Sequence, residues 1–332
     1  MTVENIRYTA YIVTDTKKYN VTNALVTINT SEEEKQLAES VSLGLVDVDV
    51  DGKKLSDIVK LRHRVILRAS DGKKSDEIYQ GYVWALSPKE SLTDAEVTIK
   101  SYDQLIYWQE SEDAAFFPAG QPTSAVVKTV ADKWGIKISY DYGQITHDQL
   151  VLRGAISDFL TADLLDTVKS RTGKKYVIRD EKGTVAIRSI GVNTTVYTID
   201  SKQNATELRR YCTLNGVITQ VIVISTAGDD EKTRVEATSR RFGKEYGTLQ
   251  KIVTRSESTP LSEAMAEAQN IVLEKGKPQW EYDIKAVNIP WIRKGDVVNV
   301  RTDTLRGKFI VKAISREISN RGSVMTLTLV DA

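Results

Sequence analysis

The chain has 332 residues, of which 41% are hydrophobic and 27% are charged, and its formal net charge is +1. This length predicts two or three domains with ordinary hydrophobic cores. The near-neutral charge excludes a whole-molecule attraction to nucleic acid or anionic lipid. No apolar run approaches the roughly 20 residues of a membrane helix, and the N-terminus lacks the pattern of a signal peptide, so we expect no membrane anchor. The single cysteine, Cys212, excludes an internal disulfide and is typical of a protein made in a reducing cytosol.

The first segment, residues 1–112, alternates apolar and polar residues with a period of two. Stretches such as RYTAYIVTD, RVILRASDG and EIYQGYVWALS are rich in Val, Ile, Thr and Tyr and are separated by turns that contain Asp-Gly or Asn. This pattern is typical of an antiparallel sandwich or barrel.

The second segment, residues 113–200, contains helical spacing instead. SAVVKTVADKWG and SDFLTADLLDTVKSRTG each carry an apolar stripe, and in the latter Ser157 is a candidate N-cap and Gly173 a C-terminal stop. The following KKYVIRDEKGTVAIRSIG predicts a hairpin with DEKG as its turn. We therefore expect a small α/β domain here.

The third segment, residues 201–332, returns to strands, and one helix over residues 260–275 interrupts them. Thr259 is the predicted cap of this helix, Pro260 suits its first position and Gly276 its end. The predicted fold class is mainly β with α+β character: two related antiparallel β-barrels and a small α/β domain, with the helix inserted in the second barrel.

The two ends of the chain share a pattern. A shift of 228 positions aligns residues 79–103 with 307–331 and places ALS on AIS, and a shift of 233 aligns the preceding VILR with VNVR. Two interpretations stay open, because any two amphipathic hairpins can align this well. The sharper one is an ancient duplication, in which residues 1–108 and 201–332 superpose strand for strand.

Motifs for catalysis or metal binding are weak in this sequence. DVDVDG (47–52) imitates an EF-hand loop, but the position that requires glutamate is Ile58, so these aspartates are predicted to be the solvated face of a strand. His63, His147 and Cys212 belong to no hydrolase, protease or zinc motif, and no phosphate loop is present. Carboxylate pairs for glycoside cleavage stay open, because the fold decides how acids pair. We expect no enzymatic activity, no catalytic residues, no cofactor and no metal.

Two features are candidate interaction sites. In AAFFPAG, Phe116 and Phe117 either fill the seam between the first barrel and the α/β domain or contact a neighbouring subunit, so they are candidate interface residues. The pairs Arg209-Arg210 and Arg240-Arg241 could contact phosphate, although charges on strand edges commonly prevent aggregation. The five tryptophans are scattered, which gives little support to an OB-like binder of single strands, so no specific nucleic-acid binding is expected.

Several long stretches, among them SLGLVDVDVDG, YDQLIYWQESEDAAFFPAG, GKKYVIRDEKGTVAIRS and GKFIVKAISREIS, resemble baseplate hub proteins of the XkdQ/YqbQ type. The resemblance covers essentially the whole chain, through strand patterns and turn glycines rather than a catalytic signature. It extends to phage late-control-D proteins and to the hub part of VgrG spike proteins. One departure is that the usual glycine before RVILRA is missing from KLRHRV.

This resemblance implies a structural protein in the baseplate of a virion or tail-like particle, of a phage, prophage or bacteriocin, synthesised in the bacterial cytoplasm. It implies a homotrimer with two tube-like barrels per chain, a pseudo-six-fold ring that joins the six-fold tail tube protein to the three-fold central spike protein. A LysM-bearing tail protein and a tape-measure protein are further expected partners. The alternative is a peptidoglycan-degrading or sugar-binding component of the tail tip.

Overall fold

The computed structural model describes residues 6–90, 95–141, 145–226, 233–255 and 260–332. Its secondary structure is mainly β, with large antiparallel sheets, which confirms the predicted class. Contacts divide the chain into two compact units, Met1–Arg209 with Tyr282–Ala332 and Arg210–Glu281. This division differs from the three segments drawn from the sequence, because residues 210–281 form a hydrophobic core of their own.

Strands of the N-terminal part are short and antiparallel, apart from one long strand. In chain order the elements are β1 (Arg7–Val13), β2 (Lys18–Asn20), a 3-10 turn (Thr22–Ala24), β3 (Leu25–Glu32), β4 (Ser40–Val46), β5 (Asp49–Val50), β6 (Lys53–Lys54), α1 (Leu55–Ile58), β7 (Arg64–Ser70), β8 (Ser75–Glu90) and β9 (Ala95–Tyr102). Alternate side chains of these strands, including Ile12, Leu43, Leu67 and Ile99, form one buried core. We call β1 to β9 the first repeat.

The predicted α/β part follows. Its elements are α2 (Ile106–Gln109), β10 (Glu112–Phe117), α3 (Thr123–Lys133), β11 (Ile138–Asp141), β12 (Leu150–Ala155), α4 (Ile156–Asp158), a π-helical stretch (Phe159–Leu165), α5 (Asp166–Thr172), β13 (Tyr176–Asp180) and β14 (Val185–Ser189). The hairpin β13–β14 is present as predicted, and Gly173 ends α5 with a φ of 71°. The predicted cap Ser157 is wrong, since the helix begins at Ile156 after an extended Ala155.

The C-terminal part contains the second repeat and the second unit. The elements are β15 (Tyr197–Asp200), β16 (Ala205–Cys212), β17 (Gln220–Thr226), β18 (Thr233–Arg240), α6 (Gly243–Tyr246), β19 (Gln250–Arg255), α7 (Leu261–Lys275), β20 (Trp280–Val287), β21 (Val297–Arg301), β22 (Arg306–Ser319) and β23 (Gly322–Asp331). We call β15, β16 and β20 to β23 the second repeat. Its core includes Ile284, Val300, Ile314 and Leu327.

The sequence predicted a single inserted helix in this part of the chain, whereas the structure has a separate unit at residues 210–281. Helix α7 buries Ala264, Ala268 and Val272 against Val221 and Val223 of β17, whose neighbours are β18 and β19. A three-stranded sheet and an amphipathic helix satisfy each other's apolar faces. The predicted cap Thr259 lies outside the described residues, and Pro260 caps α7 rather than beginning it.

One 13-stranded sheet joins the two repeats, in the order β16-β20-β23-β22-β3-β4-β9-β8-β7-β1-β2, with β21 on β22 and β15 on β21. Strand β3 of the first repeat pairs with β22 of the second. The two related parts therefore share one continuous sheet. In the part of the chain that the structure describes, no helix is long and apolar enough to cross a membrane.

Candidate assembly site

The two repeats have the same strand register. In the first, Leu86 of β8 lies opposite Ile99 of β9, and in the second, Ile314 of β22 lies opposite Leu327 of β23. The shift of 228 positions relates Leu86 to Ile314 and Ile99 to Leu327. Alternation alone does not determine register between strands, so an identical pairing favours the duplication over a chance alignment.

The same irregularities recur at equivalent positions. The β8–β9 ladder has a bulge between Val83 and Ala85, and the β22–β23 ladder has one between Val311 and Ala313. Bulges are specific local features that no period-two pattern requires. The predicted correspondence of residues 79–103 with 307–331 is therefore confirmed in strand pairing.

The turn that precedes β7 and β21 is also repeated. Arg62 N donates to Val83 O at 2.8 Å, and Gly295 N donates to Val311 O at 2.8 Å. Both turn residues have a left-handed φ, 68° for Arg62 and 88° for Gly295. The glycine that is missing from KLRHRV is thus replaced by an arginine that adopts the glycine conformation.

The repeats differ at one edge, so they do not superpose strand for strand. Strand β1 pairs antiparallel with β7, whereas β15 pairs parallel with β21. The connections that lead into these strands differ, and the direction of an edge strand follows its connection rather than its side-chain pattern.

The junction of the repeats lies on the outer half of β22. There Ile314 pairs with Glu32 and Ile318 pairs with Ile28 of β3. The equivalent residues 86–90 of β8 pair with β9 on one side, while the β7 ladder on the other side ends at Tyr82. Strand β16 is the terminal strand at one end of the strand order, and β2 is the terminal strand at the other. Strands β8 and β16 thus have edges in positions equivalent to the two that meet at the junction.

A buried charge cluster lies beside the junction. Arg293, in the turn before β21, donates from Nε to Glu32 Oε1 at 2.8 Å, and its Nη2 lies 3.1 Å from Glu39 Oε2. Glu32 and Glu39 are only 2% and 6% exposed. Removing ions from water is costly unless opposite charges compensate them, so these three groups depend on one another.

The two carboxyls of this cluster respond to burial in opposite ways. Burial raises the pKa of Glu39 to about 7, because Arg293 only partly offsets it and the Glu32 charge adds to it. Burial would also raise the pKa of Glu32, but the attraction and hydrogen bond of Arg293 hold the pKa of that carboxyl below its ordinary value. Arg293 therefore stabilises the charge of Glu32 more than that of Glu39.

The same turn fastens the α/β part and the β3–β4 connection. Lys294 Nζ donates to Glu33 O at 3.0 Å and to Gln36 O at 2.6 Å. Arg179 of β13 donates to Asp296 Oδ1 at 2.9 Å. Residues 293–296 are therefore the point at which both repeats and the α/β part are tied together.

The two predicted interface residues have different environments. Phe116 is 62% exposed and pairs across strands with Val151, which is 53% exposed. Phe117 is buried and stacks on Phe159 with ring centroids 5.7 Å apart. Phe116 therefore leaves its ring on the surface, while Phe117 packs in the core that contains Phe159, so the two residues do not share one environment.

The other residues singled out from the sequence have local contacts. Asp47 of DVDVDG accepts hydrogen bonds from Ser56 N and Oγ at 2.8 and 2.7 Å, so it fixes the start of α1. His147 is buried, with Nε2 2.7 Å from Thr123 Oγ1, and burial lowers its pKa. Among the described residues, no group of three or more His, Cys, Asp or Glu side chains could hold a metal ion.

Sequence reasoning missed the charge cluster, although one signal for it was present. Arg316 is buried and lies between Ile314 and Ile318 with strand spacing, and Glu32 follows the same alternation from the buried Ile28. A charged residue at an apolar position of an alternating strand predicts a buried ion pair. The sequence could not show which charge would meet which.

The fold is that of phage tail proteins. The structure matches the 43 kDa tail protein of prophage MuSo2 from Shewanella oneidensis with a TM-score of 0.69 and 13% identity, over 98% of each chain. It also matches the Escherichia coli c3393 protein, a type VI secretion component described as structurally similar to T4 tail proteins gp27 and gp5, with a TM-score of 0.58 and 8% identity, over 99% of this chain and 77% of that one.

The family model described as YQBQ-like matches residues 28–330, so the chain belongs to the YqbQ-like family. Phage-like element PBSX protein XkdQ of Bacillus subtilis is 23% identical over 264 residues, 78% of this chain and 79% of that protein. The resemblance to the XkdQ/YqbQ type is therefore confirmed, and the chain is a tail protein of that type.

Proposed function

We propose that this chain is the hub of a contractile-tail baseplate, a homotrimeric adaptor that seats a six-fold tail tube at one end and a three-fold spike at the other. The observation that carries the proposal is the junction between repeats, where β3 adds to the outer half of β22. Strand β8 is equivalent to β22, because each pairs in the same register with the last strand of its repeat. Strand β16 is equivalent to β3. In the sheet, the second repeat has the order β16-β20-β23-β22, and the first repeat has the corresponding order β3-β4-β9-β8.

A second copy can therefore add its β16 to residues 86–90 of β8 in the way that β3 adds to β22. Each addition repeats the same step, so three chains supply six similar units, and a closed ring leaves no free edge. Such a ring matches a six-fold partner through the repeats and a three-fold partner through the chains. The match to c3393 supports this proposal, because that protein is described as structurally similar to the T4 tail proteins gp27 and gp5.

The β8 edge also predicts weak assembly of the isolated chain. Pro88 stands where the second repeat has Arg316, and proline has no N–H to donate to an added strand. Proline on an edge strand is a common protection against indiscriminate pairing. We expect a soluble monomer at low concentration, which forms the trimer when tube or spike protein is added.

Cysteine cross-linking tests this pairing. In a Cys212→Ser background, Lys89→Cys is combined in turn with a cysteine at positions 206, 207 and 208, and the protein is oxidised together with its tube protein. We expect linked dimers and trimers for one of the three pairs. The control places the first cysteine at Lys53, which lies on the separate β5–β6 hairpin. Equal linking in the control, or a two-fold dimer by light scattering, contradicts the hub.

The remaining parts of the proposal concern partners. We propose that Phe116, with Val151, contacts a neighbouring subunit or tail protein, because an exposed aromatic pair is typical of interfaces. Phe116→Ser should leave the unfolding midpoint unchanged and reduce particle assembly in the producing strain. We assign the chain no catalytic role. Peptidoglycan hydrolysis abolished by one acidic substitution would support the tail-tip enzyme instead.

A further inference from the structure

Two basic segments of the unit Arg210–Glu281 meet around one aromatic ring. RRFGK at residues 240–244 and KGK at residues 275–277 are distant in sequence, yet Lys277 Nζ lies 4.6 Å from the ring centroid of Phe242 and the Arg241 guanidinium lies 4.9 Å from it. Gly276 permits this approach, because a Cβ there would lie 2.7 Å from Phe242 Cδ2. The fold therefore concentrates positive charge on one small surface.

Within the described ranges, neither Arg241 nor Lys277 makes an ion pair with a carboxylate. Phe242 has a φ of 59°, in the left-handed region that bulky residues avoid. Arg241 N donates to Thr219 O at 2.9 Å, which fixes the strained segment on the start of β17. Backbone strain of this kind persists where the surrounding structure holds it, and it often accompanies binding sites.

A second aromatic lies on the same segment. Trp280 is three residues beyond Lys277 and 49% exposed, and the Arg210 guanidinium lies 5.8 Å from its ring. Single-stranded nucleic acid is bound by cations that contact its phosphates and by half-exposed aromatic rings on which bases stack. Duplexes and simple phosphate polymers offer no unstacked base for an indole.

We propose that this surface binds single-stranded nucleic acid without sequence preference, with Arg241 and Lys277 on successive phosphates and Trp280 beneath a base. The chain's net charge of +1 does not oppose this, because the local charge within a Debye length decides the contact. The contacts behind this site lie within residues 210–281, so the proposal does not rest on the hub function, and Arg210 is its one residue on β16.

Fluorescence anisotropy of a labelled short oligodeoxythymidine with the full chain tests the site. Arg241→Gln with Lys277→Gln should weaken binding and should lower the slope of log K against log salt by about 1.4, since each phosphate contact on a single strand contributes about 0.7. Lys53→Gln with Lys202→Gln removes the same charge from exposed positions elsewhere and should leave binding and slope unchanged. Circular dichroism checks that each variant is folded.

A Trp280 variant separates recognition of bases from recognition of phosphates. Trp280→Ala should weaken oligodeoxythymidine binding about tenfold and leave any binding of poly(glycerol phosphate) unchanged. If the polymer binds as tightly as the oligonucleotide and Trp280→Ala affects neither, the site is not one for nucleic acid. Equal binding by the wild type and the Arg241/Lys277 variant also overturns the proposal.

Discussion

The two repeats share their register, their bulge and their turn, but they differ at the two positions that carry the junction. Arg293 and Arg316 of the second repeat correspond to Lys60 and Pro88 of the first. Arg316 is buried and the Arg293 side chain is only 16% exposed, whereas Lys60 and Pro88 are exposed. The same backbone pattern therefore buries a charge only where a neighbouring strand supplies the opposite one. In the first repeat that neighbour belongs, by our proposal, to another copy.

The repeats also place a buried aromatic side chain at different positions of one strand. Tyr79 and Gly81 of β8 correspond to Gly307 and Phe309 of β22, so an aromatic and a glycine have exchanged places. Both aromatics are buried, and a Cβ on Gly81 would lie 2.0 Å from Tyr79 Oη. The core constrains the summed volume of the pair rather than the residue at each position. This exchange hides the duplication from a simple identity count.

The largest expected effect breaks the junction that only the second repeat possesses. Arg293→Ala removes the ion-pair partner of the buried Glu32 and Glu39, so the free energy of unfolding should fall by about 3–5 kcal/mol. Urea denaturation followed by circular dichroism measures it. Arg321→Ala, on the exposed β22–β23 turn, is the matched control and should change little. A loss below about 1 kcal/mol for Arg293→Ala would mean that the cluster is not a unit.

The pH dependence of the junction comes next. Because the folded pKa of Glu39 is raised to about 7, the native state binds its proton more tightly than the unfolded chain. The contribution of Glu39 is therefore favourable at low pH and is lost as pH rises from the unfolded value through about 7. Glu39→Gln should remove about 2–3 kcal/mol of this decline. Denaturation of wild type and variant between pH 5 and 8 measures the difference, and the exposed Glu33→Gln is the control.

A third test compares the repeated turn. Gly295→Ala places a Cβ 2.7 Å from Val177 Cγ1 at a φ of 88°, so it should cost about 2 kcal/mol. The equivalent Arg62→Ala keeps a Cβ at a position that already tolerates one, and it should change stability by less than about 0.5 kcal/mol. Equal losses at both positions would contradict the strain argument, because Arg62 already carries a Cβ.

The smallest expected effect restores the glycine that the first repeat lacks. Arg62→Gly removes the penalty for a side chain at a φ of 68°, and it should stabilise the protein by about 0.5–1 kcal/mol after the entropic cost of glycine. A shift of the urea midpoint to higher concentration is the readout. No shift would indicate that the arginine side chain makes a compensating contact.

Alternation and turn residues predicted most strands of the two repeats, the β13–β14 hairpin and the helix stop at Gly173, and they gave the equivalence of residues 79–103 with 307–331 as one of two interpretations. Each depends on alternation, turn chemistry or adjacent strands, which act over short distances along the chain. The folded structure establishes that β3 pairs with β22, that Arg293 contacts Glu32, and that residues 210–281 form their own unit. It also establishes that Arg241 and Lys277 share the ring of Phe242. These contacts join residues far apart in sequence, and a strand edge or a charge carries no local mark of the distant partner that will satisfy it.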